Sequence, residues 1–206
     1  MELLKGTNLT KNFTDKDNNI SAIENVSFVL KEGEILGVVG ESGSGKSTLL
    51  RILAGLIKPD GGDIFYKNKK YTGKGPKDTG GFLWMIFQDA KASFDPRMNM
   101  LDSIMEAGRQ SKAEIAELCE KLGLEEKLLY KKSSELSGGQ CQRMSIARAL
   151  VSGAGILLCD EITSALDVTT QAQIVDIIKN MKEEKLISAV FVSHDIALVS
   201  SLCDRV

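Results

Sequence analysis

The chain of 206 residues is 43 % apolar and 26 % charged, with 19 glycines but only 3 prolines, which excludes a disordered, collagen-like or disulfide-framework protein. Its 26 basic and 28 acidic side chains leave a formal net charge of -2, so there is no global basic field for gripping nucleic acid, and no direct nucleic-acid partner is expected. The longest run free of polar side chains, Gly80 to Phe87, is eight residues, far short of the roughly 20 that cross a bilayer.

In chain order, Glu2 to Leu30 alternate short apolar runs with polar turns, notably Thr14 to Asn19 between Phe13 and the run Ala22 to Leu30, which predicts antiparallel sheet. The opening MELLKGTNLT has no apolar core or small-residue cleavage pattern, so no secretion signal is expected. Glu34 to Val39, Gly80 to Phe87, Gly155 to Cys159 and Ala189 to Val192 are near-continuous apolar runs, as expected of parallel strands covered on both faces. Helical patterns over Ser47 to Leu56, Gln140 to Val151 and Thr169 to Lys182 separate most of them, which makes the fold class α/β. From Phe94 to Leu136 there is no buried-strand run. Ile115, Leu118, Cys119 and Leu122 instead form an amphipathic stripe, with Ser111 and Glu114 placed as a capping box. A helical insertion over 94–136 therefore divides a single domain whose core spans 1–93 and 137–206. Cys119, Cys141, Cys159 and Cys203 contain no CxxC pair and there is one histidine, so no thiolate or imidazole cage is expected; reduced cysteines in a cytosolic protein are.

The segment Gly40-Glu41-Ser42-Gly43-Ser44-Gly45-Lys46-Ser47 matches GxxxxGK[ST], follows the run Ile35 to Val39 and opens a helix at Ser47-Thr48, the context that motif requires. Its glycines let backbone N–H groups turn inward around phosphates, Lys46 brings a cation to the β and γ oxygens, and the Ser47 hydroxyl can coordinate Mg²⁺. A second apolar strand ends in Asp160-Glu161, at the edge where open α/β sheets bind ligands. Asp160 is placed to hold the Mg²⁺ hydration shell, and Glu161 to polarise a water at the γ-phosphate. Leu136-Ser137-Gly138-Gly139-Gln140 precedes a third helix.

The GESGSGKS loop, LSGGQ, the strand ending in Asp160-Glu161, Ser164-Ala165-Leu166-Asp167 and Ser193-His194-Asp195 together resemble, in this order and over nearly all of the chain, the nucleotide-binding domain of ABC ATPases. The resemblance implies a P-loop NTPase core with a parallel sheet, an N-terminal antiparallel β subdomain and a helical subdomain, using ATP and Mg²⁺. It implies that Ser137, Gly138, Gly139 and Gln140 face the γ-phosphate held by a second chain, and that Gln88 senses metal and nucleophilic water. Asp167 is similar to the residue that contacts the opposite subunit, with a plain helix N-cap as its rival reading. His194 matches the histidine that reaches the γ-phosphate, and Phe13 resembles the aromatic that stacks on adenine; Trp84 is read as core.

Ile86-Phe87-Gln88-Asp89 and Ala92 to Met98 resemble the ATPase subunits of oligopeptide, dipeptide and nickel importers, the second of their two ATPases more than the first. That implies a motor subunit on the cytoplasmic face of the membrane, docked on permease subunits and paired with a second ABC ATPase domain, in a homodimer or in a heterodimer with a paralogue, around two MgATP. The alternative is a soluble ABC ATPase of a non-transport pathway, in phosphonate metabolism or linked to nucleic acid or ribosomes. Ile162, Ala90 and Cys141 depart from the family's usual residues, and Tyr130 to Ser134 lacks its usual proline; none of these removes a phosphate, metal or water ligand. The family normally continues past Asp204-Arg205-Val206, so a truncated C-terminal end is expected.

Overall fold

The computed structural model describes residues 1–15, 18–71, 81–164, 166–184 and 187–206. Lys16 and Asp17 of the expected turn, Gly80 of the expected strand and Ala165 lie outside the described residues. The strands are β1 (Glu2–Asp15), β2 (Asn18–Lys31), β3 (Ile35–Val39), β4 (Gly61–Tyr66), β5 (Lys69–Tyr71), β6 (Leu83–Ile86), β7 (Ile156–Asp160) and β8 (Ser188–Ser193). The helices are α1 (Lys46–Leu53), α2 (Met100–Met105), α3 (Lys112–Lys121), α4 (Gly138–Val151), α5 (Val168–Glu183) and α6 (Ile196–Leu202).

Four strands from the first third of the chain form an antiparallel sheet of order β2-β1-β4-β5. Sequence alternation implied antiparallel pairing here, but the short runs merge into two 14-residue strands, because register shifts along β1 absorb the twist. The hairpin β4–β5 was not legible. It turns on Lys67-Asn68, both at positive φ (45° and 64°), the two-residue geometry for which asparagine and glycine are the usual signals.

The second sheet is parallel throughout, with order β3-β8-β7-β6. Every residue of β7 and β8 is buried, the physical source of their unbroken apolar runs. Side chains alternate between two cores. Ile156, Leu158, Val190 and Val192 face α1 and the antiparallel sheet, whereas Leu157, Cys159, Ala189 and Phe191 face α5, α6 and the insertion. Because all four strands run the same way, their carboxyl ends share one edge.

The insertion contributes α2 and α3, then short 3₁₀ turns that lead into α4. The expected capping box is present: the Glu114 amide donates to Ser111 Oγ at 3.3 Å and the Ser111 amide to Glu114 Oε2 at 2.7 Å. Ile115, Cys119 and Leu122 of the expected stripe are buried. The three departures from the family pattern are all core residues: Ile162, Ala90 and Cys141 are buried, and the Cys141 thiol donates to the Ser133 carbonyl at 3.5 Å. Burial pushes the thiols of Cys119 and Cys203 up to about 11 and that of Cys159 to about 12, so they remain protonated and inert at neutral pH. Among the described residues no helix is long and apolar enough to cross a membrane.

Candidate functional site at the carboxyl edge of the parallel sheet

The loop after β3 is shaped by two left-handed glycines, Gly43 (φ +81°) and Gly45 (φ +91°). At Gly45 a Cβ would lie 2.0 Å from the Ala22 carbonyl oxygen of β2, so only glycine lets the loop pass under the antiparallel sheet. Gly45 is also the N-cap of α1 and supplies no side-chain cap, which leaves the first amides of the helix available to an anion. At Gly43 nothing lies within 4 Å of a built Cβ. Gly45→Ala is therefore expected to destabilise by about 2 kcal/mol or more, lowering the melting temperature by about 4 °C or more, while Gly43→Ala incurs only the left-handed strain of about 1 kcal/mol. Thermal unfolding of the two variants side by side checks this; equal midpoints would contradict the Ala22 contact.

Lys46 is only 7 % exposed, and its ammonium donates to the carbonyls of Gly40 (2.8 Å) and Glu41 (2.7 Å), so it points back into the concavity of its own loop. Ser42, Gly43 and Ser44 form the exposed lip, and Thr48 lies half-buried behind it. The Ser47 hydroxyl donates to Asp160 Oδ1 at 2.8 Å, linking the ends of β3 and β7 across the intervening β8. Burial pushes the Asp160 carboxyl above its usual range, opposed by the Ser47 hydroxyl and by the cations Arg51 and Lys46. A hydroxyl and a buried carboxylate in contact, beside a buried ammonium, are a donor set that would suit a hydrated Mg²⁺ and phosphate oxygens.

Glu161 follows β7 in the left-handed region at φ +46°, rare for a residue with a side chain. That turn swings its carboxylate along the strand ends. Glu161 Oε2 lies 3.4 Å from His194 Nδ1, after β8, and 3.5 Å from Gln88 Nε2, after β6. Gln88 Nε2 also donates to Ser164 Oγ (3.2 Å), which donates in turn to the Glu161 carbonyl (2.9 Å). Lys46, Ser47, Asp160, Glu161, Gln88 and His194 thus line one edge, fed by four parallel strands. Ser164 enters from the sequence only as the first residue of the Ser164–Asp167 segment, with no role of its own. Its role depends on β6 lying beside β7, which no local pattern encodes.

The remaining candidates lie elsewhere. Ser137 caps α4: its hydroxyl accepts from the Gln140 amide (3.2 Å), and Gln140 Oε1 accepts from the Ser137 amide (2.9 Å). Nothing lies within 4 Å of a Cβ built on Gly138, and one on Gly139 would be 2.9 Å from Thr170 Cγ2, so the start of α4 lies against the start of α5. Asp167 caps α5, accepting from the Thr170 amide (2.9 Å) and hydroxyl (2.7 Å), and these bonds hold its carboxyl below the usual range. Its rival reading, the plain N-cap, is thus what a single chain displays. Among the described residues no hydrogen bond joins Ser137, Gly138, Gly139, Gln140 or Asp167 to the 40–48 loop.

Phe13 is half-exposed on β1, with Lys11 Nζ 5.5 Å from its ring centroid. It pairs with Ile20, two residues or roughly 7 Å along β2 from the Ala22 that abuts Gly45, a separation that suits a base whose phosphates lie in the loop. Trp84, read as core, is partly buried and takes the Arg148 guanidinium at 5.7 Å from its ring.

A family model described as ABC transporter matches residues 23–164. The chain is 42 % identical to the oligopeptide transport ATP-binding protein OppF of Haemophilus influenzae and 40 % identical to that of Escherichia coli, each over 94 % of this chain and 62 % of the relative. It therefore spans less than two thirds of the length of these relatives. Among solved structures, a dimeric ATP-binding cassette in a post-hydrolysis state bound to ADP and Pi superposes with a TM-score of 0.84 at 34 % identity, covering 95 % of this chain and 90 % of that one. A nucleotide-free ATP-binding cassette from an ABC transporter gives a TM-score of 0.84 at 25 % identity, covering 99 % and 86 %.

Proposed function

The chain belongs to the ABC transporter family, and on that premise we propose that it binds and hydrolyses MgATP as the motor subunit of an importer, with peptides as the cargo class. The observation that carries this reading is the convergence of Lys46, the Ser47–Asp160 pair and the Glu161–Gln88–His194 cluster on one edge of the parallel sheet. Lys46 exchanges its bonds to the Gly40 and Glu41 carbonyls for bonds to β- and γ-phosphate oxygens, and the amides at the start of α1 take the remaining charge. Ser47, Asp160 and Gln88 would hold Mg²⁺, which would supply neutralisation of charge on the transferring phosphoryl group. Glu161 orients and accepts a proton from the attacking water, and His194 beside it both steadies its carboxylate and reaches the γ-phosphate. Phe13 stacks on the adenine.

Peptide import is supported by the relatives, whose names specify oligopeptide transport. Docking on permease subunits places the chain peripherally on the cytoplasmic face of the membrane. Pairing with a second ABC ATPase domain is supported by the dimeric, ADP- and Pi-bound state of a similar cassette, and is in keeping with Ser137 and Asp167 being bonded within their own helix caps. Each chain then carries two half-sites: its phosphate loop serves one nucleotide and its Ser137 segment the other.

Phosphate release by mixed variants tests this arrangement. Ser137→Arg retains its own Lys46 loop and binds ATP, but puts a bulky cation where the partner's γ-phosphate docks, so alone it should lose most turnover. Mixed with Lys46→Ala chains it should recover partial activity, since each pair assembles one intact composite site. Ser137→Arg hydrolysing alone at the wild-type rate, with the same dependence on protein concentration, would overturn action in trans.

A further inference from the structure

Beyond Thr10, strand β1 leaves the body of its sheet. Its last pair with β4 is Thr10 with Gly61, whereas its pairing with β2 continues to Asp15 and Asn18, so the segments after Thr10 form a two-stranded arm that carries Phe13. Such a ribbon is only marginally ordered on its own in water. On the β2 side the arm is tied to the body by the buried Ile23 and by the approach of the Ala22 carbonyl to Gly45. On the β1 side a tie is Asp60, the residue before β4. Its amide donates to the Thr10 carbonyl at 2.8 Å, its Oδ2 accepts from the Asn12 amide at 2.8 Å, and its Oδ1 accepts from Lys11 Nζ at 2.8 Å. The carboxylate takes the place of the strand carbonyl that β4 no longer offers to Asn12, extending the ladder one rung beyond the strand. Lys11, held by this bond with its side chain 16 % exposed, lies over one face of the Phe13 ring.

We propose that Asp60 is a positioning residue for nucleotide binding: by clamping Thr10, Lys11 and Asn12 it sets the direction in which Phe13 leaves the arm, and through Lys11 it occupies one ring face and leaves the opposite face for a purine. The inference rests on the base-stacking part of the functional reading. The chemistry is consistent on both faces, since an ammonium over one face of an aromatic ring draws on its π electrons while the other offers a flat apolar platform to the base. With the Asp60 carboxylate 43 % exposed at the sheet surface, the ion pair adds little to overall stability, so the latch predicts a binding effect without a folding effect.

The test is calorimetric titration of the full chain with ATP and with inorganic tripolyphosphate, which probes the phosphate loop without a base. Phe13→Ala should weaken ATP binding roughly 5- to 100-fold, the range of base–aromatic stacking. Asp60→Ala should lose part of the same increment, roughly 3- to 20-fold, while tripolyphosphate binding and the thermal midpoint stay at wild-type values. Asp60→Asn, which keeps an acceptor for the Asn12 amide but not the charge facing Lys11, should fall between. In a Phe13→Ala background, Asp60→Ala should have no further effect on ATP affinity. Asp60→Ala binding ATP like wild type while Phe13→Ala is weakened overturns the latch alone. Equal loss of ATP and tripolyphosphate, or additivity with Phe13→Ala, also overturns it. Phe13→Ala binding ATP as tightly as wild type overturns the stacking reading, and the latch with it.

Discussion

Lys46→Ala is expected to weaken ATP binding by roughly 100-fold or more, because a charge-assisted hydrogen bond contributes about 1.5–3 kcal/mol and the ammonium would make one to each of the β- and γ-phosphates. In the present structure two of its three N–H groups donate to the carbonyls of Gly40 and Glu41, within the concavity where phosphates would lie. Alanine leaves the glycine-shaped turn and the start of α1 intact, so the loop keeps its amides and loses only its cation. The fold should be nearly indifferent, since Glu41 is exposed and Gly40 half-buried, and their freed carbonyls can turn to water. Titration with a fluorescent ATP analogue, alongside a melting curve, separates the two effects. Wild-type affinity in a folded Lys46→Ala protein would overturn the phosphate-loop assignment.

Glu161→Gln is expected to leave ATP binding near wild type and to slow hydrolysis by roughly 10²- to 10⁴-fold, the usual contribution of a positioned general base. The amide is isosteric with the carboxylate and presents an oxygen to Gln88 Nε2 and His194 Nδ1, so the cluster should hold its geometry while losing the group that accepts a proton. Both chains of a closed pair would then retain ATP, and the variant should accumulate as a nucleotide-bound dimer on size exclusion. Single-turnover phosphate release measures the chemical step directly. Unchanged turnover by a protein that stays monomeric with ATP would make Glu161 a bystander, and attention would move to Ser164 and Gln88.

Local chemistry made much of this protein legible from its residues alone. The spacing of GxxxxGK[ST] after an apolar run specifies a phosphate loop because glycine is needed where the backbone turns left-handed, as at Gly45; Gly43, at a position that the pattern leaves free, turns the same way. The Ser111–Glu114 box and the Ile115–Cys119–Leu122 stripe specify α3 by the same short-range logic, through hydrogen bonds and contacts made within a turn or two of helix. Unbroken apolar runs marked β7 and β8 as doubly covered strands. Weak local signals were missed for the same reason: α2 is only six residues long, and the β4–β5 turn carries Lys67-Asn68 rather than a glycine dipeptide.

Tertiary structure decided what lies beside what. That β8 runs between β3 and β7, so that His194 comes to Glu161 and Ser47 spans to Asp160, follows from burying both faces of a four-stranded sheet at once. No window of sequence encodes that order, because it balances contacts between segments more than a hundred residues apart. Ser164 at Gln88 and Asp60 at Asn12 belong to the same class: each is an ordinary polar residue in its own neighbourhood, and each gains its role only when a strand end from elsewhere in the chain is brought within hydrogen-bond reach. Ser137 and Asp167 mark the limit in the other direction. A single folded chain satisfies both as helix caps, since a cap needs only the next turn of its own helix, whereas a γ-phosphate held by another chain requires that chain.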